Sequence, residues 1–184
     1  MSEIWLSSDL HFGHNKEFIW KERGFSSVDE MNETIINNFN NIITPNDTLI
    51  LLGDCVMGPL ENIDWLKRLN GNIIIIRGNH DTDNRIANYN LILHVERIEN
   101  AYYMKYQGYH FYMSHYPTLC GNYDDDHNLH KHMLNLCGHL HTKDKWFDYD
   151  KGMIYHVEVD AHDCKPVHIE TIINDFKEKY NGKI

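Results

Sequence analysis

Three features of the sequence predict an α/β fold. Short apolar runs of strand length alternate with stripes of helical spacing through the first 81 residues. The runs are rich in Ile and Leu, as strands covered on both faces require. Each run ends directly in a polar cluster: Asp-Leu-His, Gly-Asp or Gly-Asn-His-Asp. Alternation of strand and helix implies parallel pairing, because parallel neighbours need a crossover and a helix is the usual one.

Residues 4–8, Ile-Trp-Leu-Ser-Ser, form the first predicted strand, which runs into Asp9-Leu10-His11-Phe12-Gly13-His14. Asp9 and His11 are two apart, so in extended backbone their side chains point the same way and suit a shared ion. Taken alone, such an Asp more often caps a turn. His14 either touches substrate or faces water. Ser27-Val28-Asp29-Glu30 has the form of a capping box, and Met31, Ile35, Phe39 and Ile42 follow as the inward stripe of a helix that Pro45 ends. The many Asn of this helix are poor helix formers and read as its solvated face.

Residues 48–52 form a second buried strand that ends in Gly53-Asp54. Gly58-Pro59 opens a second helix, whose Ile63, Leu66 and Leu69 face the core and which Asn70-Gly71 closes. The third strand is the run of four Ile at 73–76, followed by Arg77-Gly78-Asn79-His80-Asp81. Gly78 permits a sharp turn, Asn79 offers a carbonyl oxygen, His80 can move a proton, and Asp81 can orient a histidine. Arg77 reads as a structural ion pair at a strand end.

Residues 82–90 are polar and predict a loop or short helix, and 91–98 a strand whose register the pattern does not fix. Residues 101–106 and 109–114 flank Gln107-Gly108 as a hairpin that ends on His115. Its aromatic residues Tyr102, Tyr103, Tyr109, Phe111 and Tyr112 are read as core. Asp124, Asp125, Asp126, His127, His130 and His132 read as a solvated loop face in preference to a second metal cluster. Residues 134–137 lead into Gly138-His139-Leu140-His141, where a Cys/His zinc site is disfavoured because no second pair of cysteines matches it. A strand at 154–159 and a helical stripe of Ile169, Ile172, Ile173, Phe176 and Tyr180 complete the chain.

At 184 residues the chain reads as one domain, 1–184, with 42% hydrophobic and 24% charged residues, ordinary for a globular protein. A net charge of −10 disfavours a broad grip on nucleic acid or anionic membrane, though not a local cationic site built on metal ions. No secretory pattern opens the sequence, and no apolar stretch approaches the ~18 residues of a membrane span. The four Cys are scattered and form no Cys-x-x-Cys, so reduced thiols in a cytoplasm are the simplest account. Fourteen His are a weak compositional hint of metal chemistry.

Asp9, His11, Asp54, Asn79, His115, His139 and His141 each follow an apolar strand-like run closely. In open α/β sheets such positions converge beyond the carboxyl ends of the strands. Oxygen and nitrogen donors in that number, with no thiolate, suit a pair of hard to borderline divalent metals. The blocks Asp9-x-His11, Gly53-Asp54, Gly78-Asn79-His80-Asp81, His115 and Gly138-His139-x-His141 resemble, in order, the motif set of the calcineurin-like metallophosphoesterases. They span positions 9 to 141, and the opening Ser-Asp-Leu-His-Phe-Gly-His is most similar to a compact bacterial and phage subgroup.

The resemblance implies a four-layer α-β-β-α sandwich of two mixed sheets flanked by helices. It implies one metal on Asp9, His11 and His141, another on Asn79, His115 and His139, and Asp54 bridging them. The implied ions are Mn first, with Fe, Zn, Ni or Co as alternatives. The implied reaction is hydrolysis of a phosphodiester or phosphomonoester, with His80 as general acid and Asp81 as a candidate for orienting it. The expected partner is a small phosphoester, a nucleotide among the candidates. Alternatives are a nuclease acting on short nucleic acid or dinucleotides, and a non-catalytic metal-binding module on the same fold. Loops 12–28, 82–90, 116–132 and 143–152 would shape the pocket, and the sequence does not fix the oligomeric state.

Overall fold

The computed structural model describes residues 2–121, 129–147 and 154–180, so the run Asp124, Asp125, Asp126 and His127 lies outside the described residues. Two mixed sheets with flanking helices carry the chain. The first has the order β4-β3-β2-β1-β9, built from β1 (Ile4–Ser7), β2 (Thr48–Leu51), β3 (Asn72–Ile76), β4 (Val95–Glu99) and β9 (Val167–His168). The β1–β2, β2–β3 and β3–β4 pairs are parallel, and β9 joins β1 antiparallel. The second has the order β5-β6-β7-β8, from β5 (Tyr102–Tyr106), β6 (Tyr109–Met113), β7 (Met133–Cys137) and β8 (Ile154–His156). Helices α1 (Glu17–Trp20), α2 (Val28–Asn40), α3 (Ile63–Leu66), α4 (Asp83–Tyr89) and α5 (Ile169–Tyr180) complete the described elements.

The strand period of two decides which core each residue joins. Leu49, Leu51, Ile73 and Ile75 pack with Met31, Ile35 and Phe39 of α2. Their neighbours Ile50, Leu52, Ile74 and Ile76, with Leu6, point the other way and meet Phe111, Met113, Leu134 and Leu136 of the second sheet. Ile172, Ile173 and Phe176 of α5 join that second core. Burial of each such side chain is worth about 1.5–3 kcal/mol. The Ile run is apolar throughout because both faces of β3 are covered.

Several local features differ from the sequence reading. Ser27 caps α2 by accepting from the Glu30 N–H at 3.1 Å, but Glu30 returns its carboxylate to Ser26, not Ser27, so the reciprocal half of the box sits one residue early. Ile42 lies past the end of α2 and is exposed, and Ile43 fills the core instead. Asn32 is buried, not solvated, and accepts the Gly13 N–H at 3.2 Å. Residues 91–94 are turn, with Leu91 and Leu93 exposed, so β4 starts only at Val95. The hairpin turn places Gln107 and Gly108 at φ 48° and 86°, the left-handed pair that matches strand twist. Tyr109 and Phe111 are core as expected, whereas Tyr103 on the opposite face is exposed. Among the described residues no helix is long and apolar enough to cross a membrane.

Candidate metal centre

The polar clusters that end β1, β2, β3, β6 and β7 come together at one end of both sheets. Asp9 N–H donates to Gly53 O at 3.0 Å, His11 N–H to Asp54 O at 3.1 Å, and Gly138 N–H to His115 O at 3.0 Å, so adjoining strand ends are tied to one another in pairs. The chain turns hard at these points. Asp9, His11, Asp54, His139 and His141 all have left-handed φ, between 51° and 80°, a conformation that L residues adopt at a cost and that clusters at functional sites.

Two glycines make room for the carboxylates. A Cβ on Gly78 would overlap the Asp54 carboxylate, and one on Gly138 would overlap Ser8 Oγ and the Asp9 carboxylate. Overpacking of this kind costs about 1–3 kcal/mol. Gly138→Ala is therefore expected to lower the unfolding free energy by that scale, read as a lower urea midpoint, and to weaken metal binding by displacing Asp9. A variant with wild-type midpoint and wild-type metal affinity would contradict so close an approach.

Asp9 Oδ2 accepts from Ser8 Oγ at 2.5 Å and from the His139 N–H at 2.8 Å. Its other oxygen, Oδ1, is buried with no hydrogen-bond partner, and so is His11 Nε2, 3.6 Å away. His141 Nε2 lies 3.7 Å from the same Oδ1. Asp54 Oδ2 stands 3.5 Å from His115 Nε2, 3.8 Å from His11 Nε2 and 3.9 Å from His80 Nε2. His115 Nδ1 is 2.7 Å from Leu52 O, a carbonyl that can only accept, so the proton sits on Nδ1. The Nε2 lone pair then faces the Asn79 carbonyl oxygen at 2.8 Å, acceptor to acceptor, with His139 Nδ1 at 3.2 Å. A cation satisfies such a meeting of acceptors.

The electrostatics agree. Burial pushes the Asp9 carboxyl up, but the His11, His115 and His141 imidazoles around it outweigh that and hold Asp9 at about 2. Burial drives the His11 imidazole down to about 4 against the pull of Asp9, leaving it neutral and able to ligate. Burial also raises Asp54, a rise that His115 and the His80 N–H oppose and the Asp9 and Asp81 charges reinforce. Two groups of side chains, Asp9 with His11 and His141, and Asp9 with Asp54 and His115, hold their donor atoms within 4.8 Å of one another. Oxygen and imidazole donors without a thiolate fit a divalent ion of hard to borderline character.

All seven strand-end residues named from the sequence meet here, and His80 joins them from the open side, its side chain 45% exposed. Asp81 is placed differently from the sequence reading. It is fully buried; its Oδ2 accepts the Asp54 and Gly78 N–H groups at 2.8 and 2.9 Å, and its Oδ1 accepts Tyr89 Oη at 3.0 Å. Both oxygens are thus spent on holding two loops, and neither is directed at the His80 ring. His14 Nδ1 approaches His11 Nδ1 at 3.2 Å, behind the face that His11 turns to the site. Arg77 pairs with Asp83 at 2.7 Å, the structural role read from the sequence.

Sequence reasoning missed Ser8, Arg23, Tyr116 and Asp160. Asp160 directly follows the strand predicted over 154–159, so the strand-end signal that found the other carboxylates would have found it. Nothing in the loop around Arg23 marks it. Tyr116 packs its ring edge-on against His115 and His139, with centroids at 5.1 and 4.8 Å.

A family model, described as the calcineurin-like phosphoesterase superfamily domain, matches residues 3–157. An uncharacterized protein of Methanocaldococcus jannaschii is 31% identical over 179 residues, which span 94% of this chain and 90% of that one. The gene 66 protein of Mycobacterium phage D29 is 24% identical over 205 residues, across 97% of this chain and 99% of that protein. The solved structure of a protein of unknown function from Aquifex aeolicus superposes with a TM-score of 0.71 at 22% identity, covering 95% of this chain and 99% of the other, a likeness of fold.

Proposed function

Because the chain belongs to the calcineurin-like phosphoesterase superfamily and is a hydrolase acting on phosphoester bonds, we propose that its strand-end donors hold two divalent metal ions. Asp9, His11 and His141 would hold one, Asn79, His115 and His139 the other, and Asp54 would touch both. The observation that carries this reading is the pair of buried, unpartnered atoms Asp9 Oδ1 and His11 Nε2. A buried donor or acceptor without a partner costs about 1–3 kcal/mol, and an ion between them removes that cost. Manganese is the first candidate, with Fe, Zn, Ni or Co open to the same donor set.

Ions held there would supply the positive charge that makes a water acidic and offsets the charge of the phosphoryl oxygens. The remaining steps fall to the chain. The His80 N–H donates to Asp54 Oδ1 at 2.8 Å, so the residue is fixed to the central carboxylate while its ring stays open to solvent. Its carbonyl accepts Arg85 Nη1 at 2.9 Å, which pins the turn from the other side. From this position His80 Nε2 gives its proton to the leaving oxygen. Tyr116, half exposed beside His139, offers an apolar wall for the organic part of a small phosphoester, a nucleotide among the candidates. The acidic balance of the chain favours such a ligand over long nucleic acid.

The test is metal titration of chelator-stripped protein, assayed on an aryl phosphodiester beside the matching monoester. Turnover is expected to return with Mn and to saturate at two ions per chain, and the diester-to-monoester ratio then selects the substrate class. Protein that binds no ion would overturn the assignment.

A further inference from the structure

Behind His141, away from the open side of the site, Arg23 and Asp160 form an ion pair in which the Arg23 side chain is 2% exposed and the Asp160 side chain 11%. Arg23 Nε donates to Asp160 Oδ1 at 2.9 Å and Nη2 to Oδ2 at 2.8 Å, the bidentate geometry that suits guanidinium and carboxylate. The other N–H groups are spent as well. Nη2 donates to Asp9 O at 2.8 Å, Nη1 to Leu10 O at 3.1 Å, and Nη1 also reaches Met31 Sδ at 3.5 Å. All five guanidinium hydrogens therefore have partners. Two of those partners are the carbonyls of the sharp turn on which Asp9 stands.

Asp160 Oδ2 has a second neighbour, His141 Nδ1 at 3.0 Å. An ionised carboxylate can only accept, so Nδ1 must donate. Arg23 Nη2 lies 3.5 Å from the same Nδ1, but both its hydrogens are already used, so it does not ask Nδ1 to accept. We infer that Arg23 and Asp160 are positioning residues which hold His141 in its Nδ1–H tautomer, leaving the Nε2 lone pair directed at Asp9 Oδ1, and which brace the Asp9 turn at the same time. The pair ties together three segments distant in sequence: the loop after α1, the turn after β1 and the 3₁₀ turn Val159–His162. That last turn ends in Asp163 and Cys164, both with left-handed φ, and is closed by the Cys164 N–H on Val159 O at 2.9 Å, so Asp160 is presented from a stiff support. The consequence for metal affinity rests on the two-ion reading above; the tautomer does not.

Two measurements on the full chain separate those levels. In metal-free wild type, at a pH high enough that the His141 ring is neutral, long-range ¹⁵N correlation of the ring is expected to show the proton on Nδ1, and finding it on Nε2 would overturn the inference whether or not the protein binds metal. In Asp160→Asn, calorimetric titration with Mn²⁺ is expected to show one of two sites weakened by about 10–100-fold with the other unchanged, the scale on which supporting carboxylates act. The same variant is expected to lose the fixed tautomer. Asp160→Asn that keeps both wild-type affinities and the Nδ1–H form would overturn the positioning role. Two equally weakened sites would overturn it too, because they would mean general loosening of the fold.

Discussion

Asp54→Asn is expected to lose essentially all phosphoesterase turnover while keeping the fold. The substitution preserves volume and one carbonyl oxygen but removes the charge on which His11, His80 and His115 all converge within 3.5–3.9 Å. If Asp54 serves both ions, its loss weakens both, and the effect should exceed the 10–100-fold typical of a supporting residue. Burial already lifts the Asp54 carboxyl, so replacing it with a neutral amide relieves a desolvation cost in the metal-free protein. Metal-free Asp54→Asn should therefore melt no lower than metal-free wild type, while the large stabilisation expected from Mn in wild type should be absent. Thermal melts of both proteins with and without Mn, beside kcat on the preferred ester, check this. A variant that binds two ions as wild type does would remove Asp54 from the centre.

His80→Ala should produce the second-largest loss, of a different kind. As the proposed general acid, His80 should contribute about 10²–10⁴ in rate, and only when the leaving oxygen is basic enough to need a proton. The loss should therefore be near that range for an alkyl phosphoester and should shrink for an ester of an acidic phenol. Metal stoichiometry should not change, because the His80 ring is not among the proposed ligands, is 45% exposed, and its residue is anchored to Asp54 by the backbone N–H. Equal losses on both leaving groups would point to a role in binding or positioning instead.

That seven strand-end residues meet in one place was legible because their signal is local: an apolar run with a polar residue close after it, in a fold where strand ends converge. The same logic placed β1, β2, β3 and the β5–β6 hairpin, whose periods are strong. What was not legible depends on direction and distance. Asp81 stands in the same motif as Asn79 and His80, yet its carboxylate turns inward to two backbone N–H groups and Tyr89, a choice made by residues 27 and 8 positions away. Asn32 looked like helix surface until the Gly13 turn came down on it. Arg23 lies 137 positions from Asp160, and no spacing rule connects them. Register was the other blind spot, since Leu91 and Leu93 resemble strand residues but sit in an exposed turn before Val95.

The left-handed turns at Asp9, His11, Asp54, His139 and His141 bear on any attempt to make this protein more heat-resistant. Each holds strain of about 1–3 kcal/mol in the folded chain, and glycine at any of them would release it. Screens that select on melting temperature alone would thus be drawn toward replacing the residues proposed as metal ligands, trading activity for robustness. Selection should be steered elsewhere, such as to Leu91 and Leu93, whose apolar side chains are largely exposed to water and can be exchanged for polar ones.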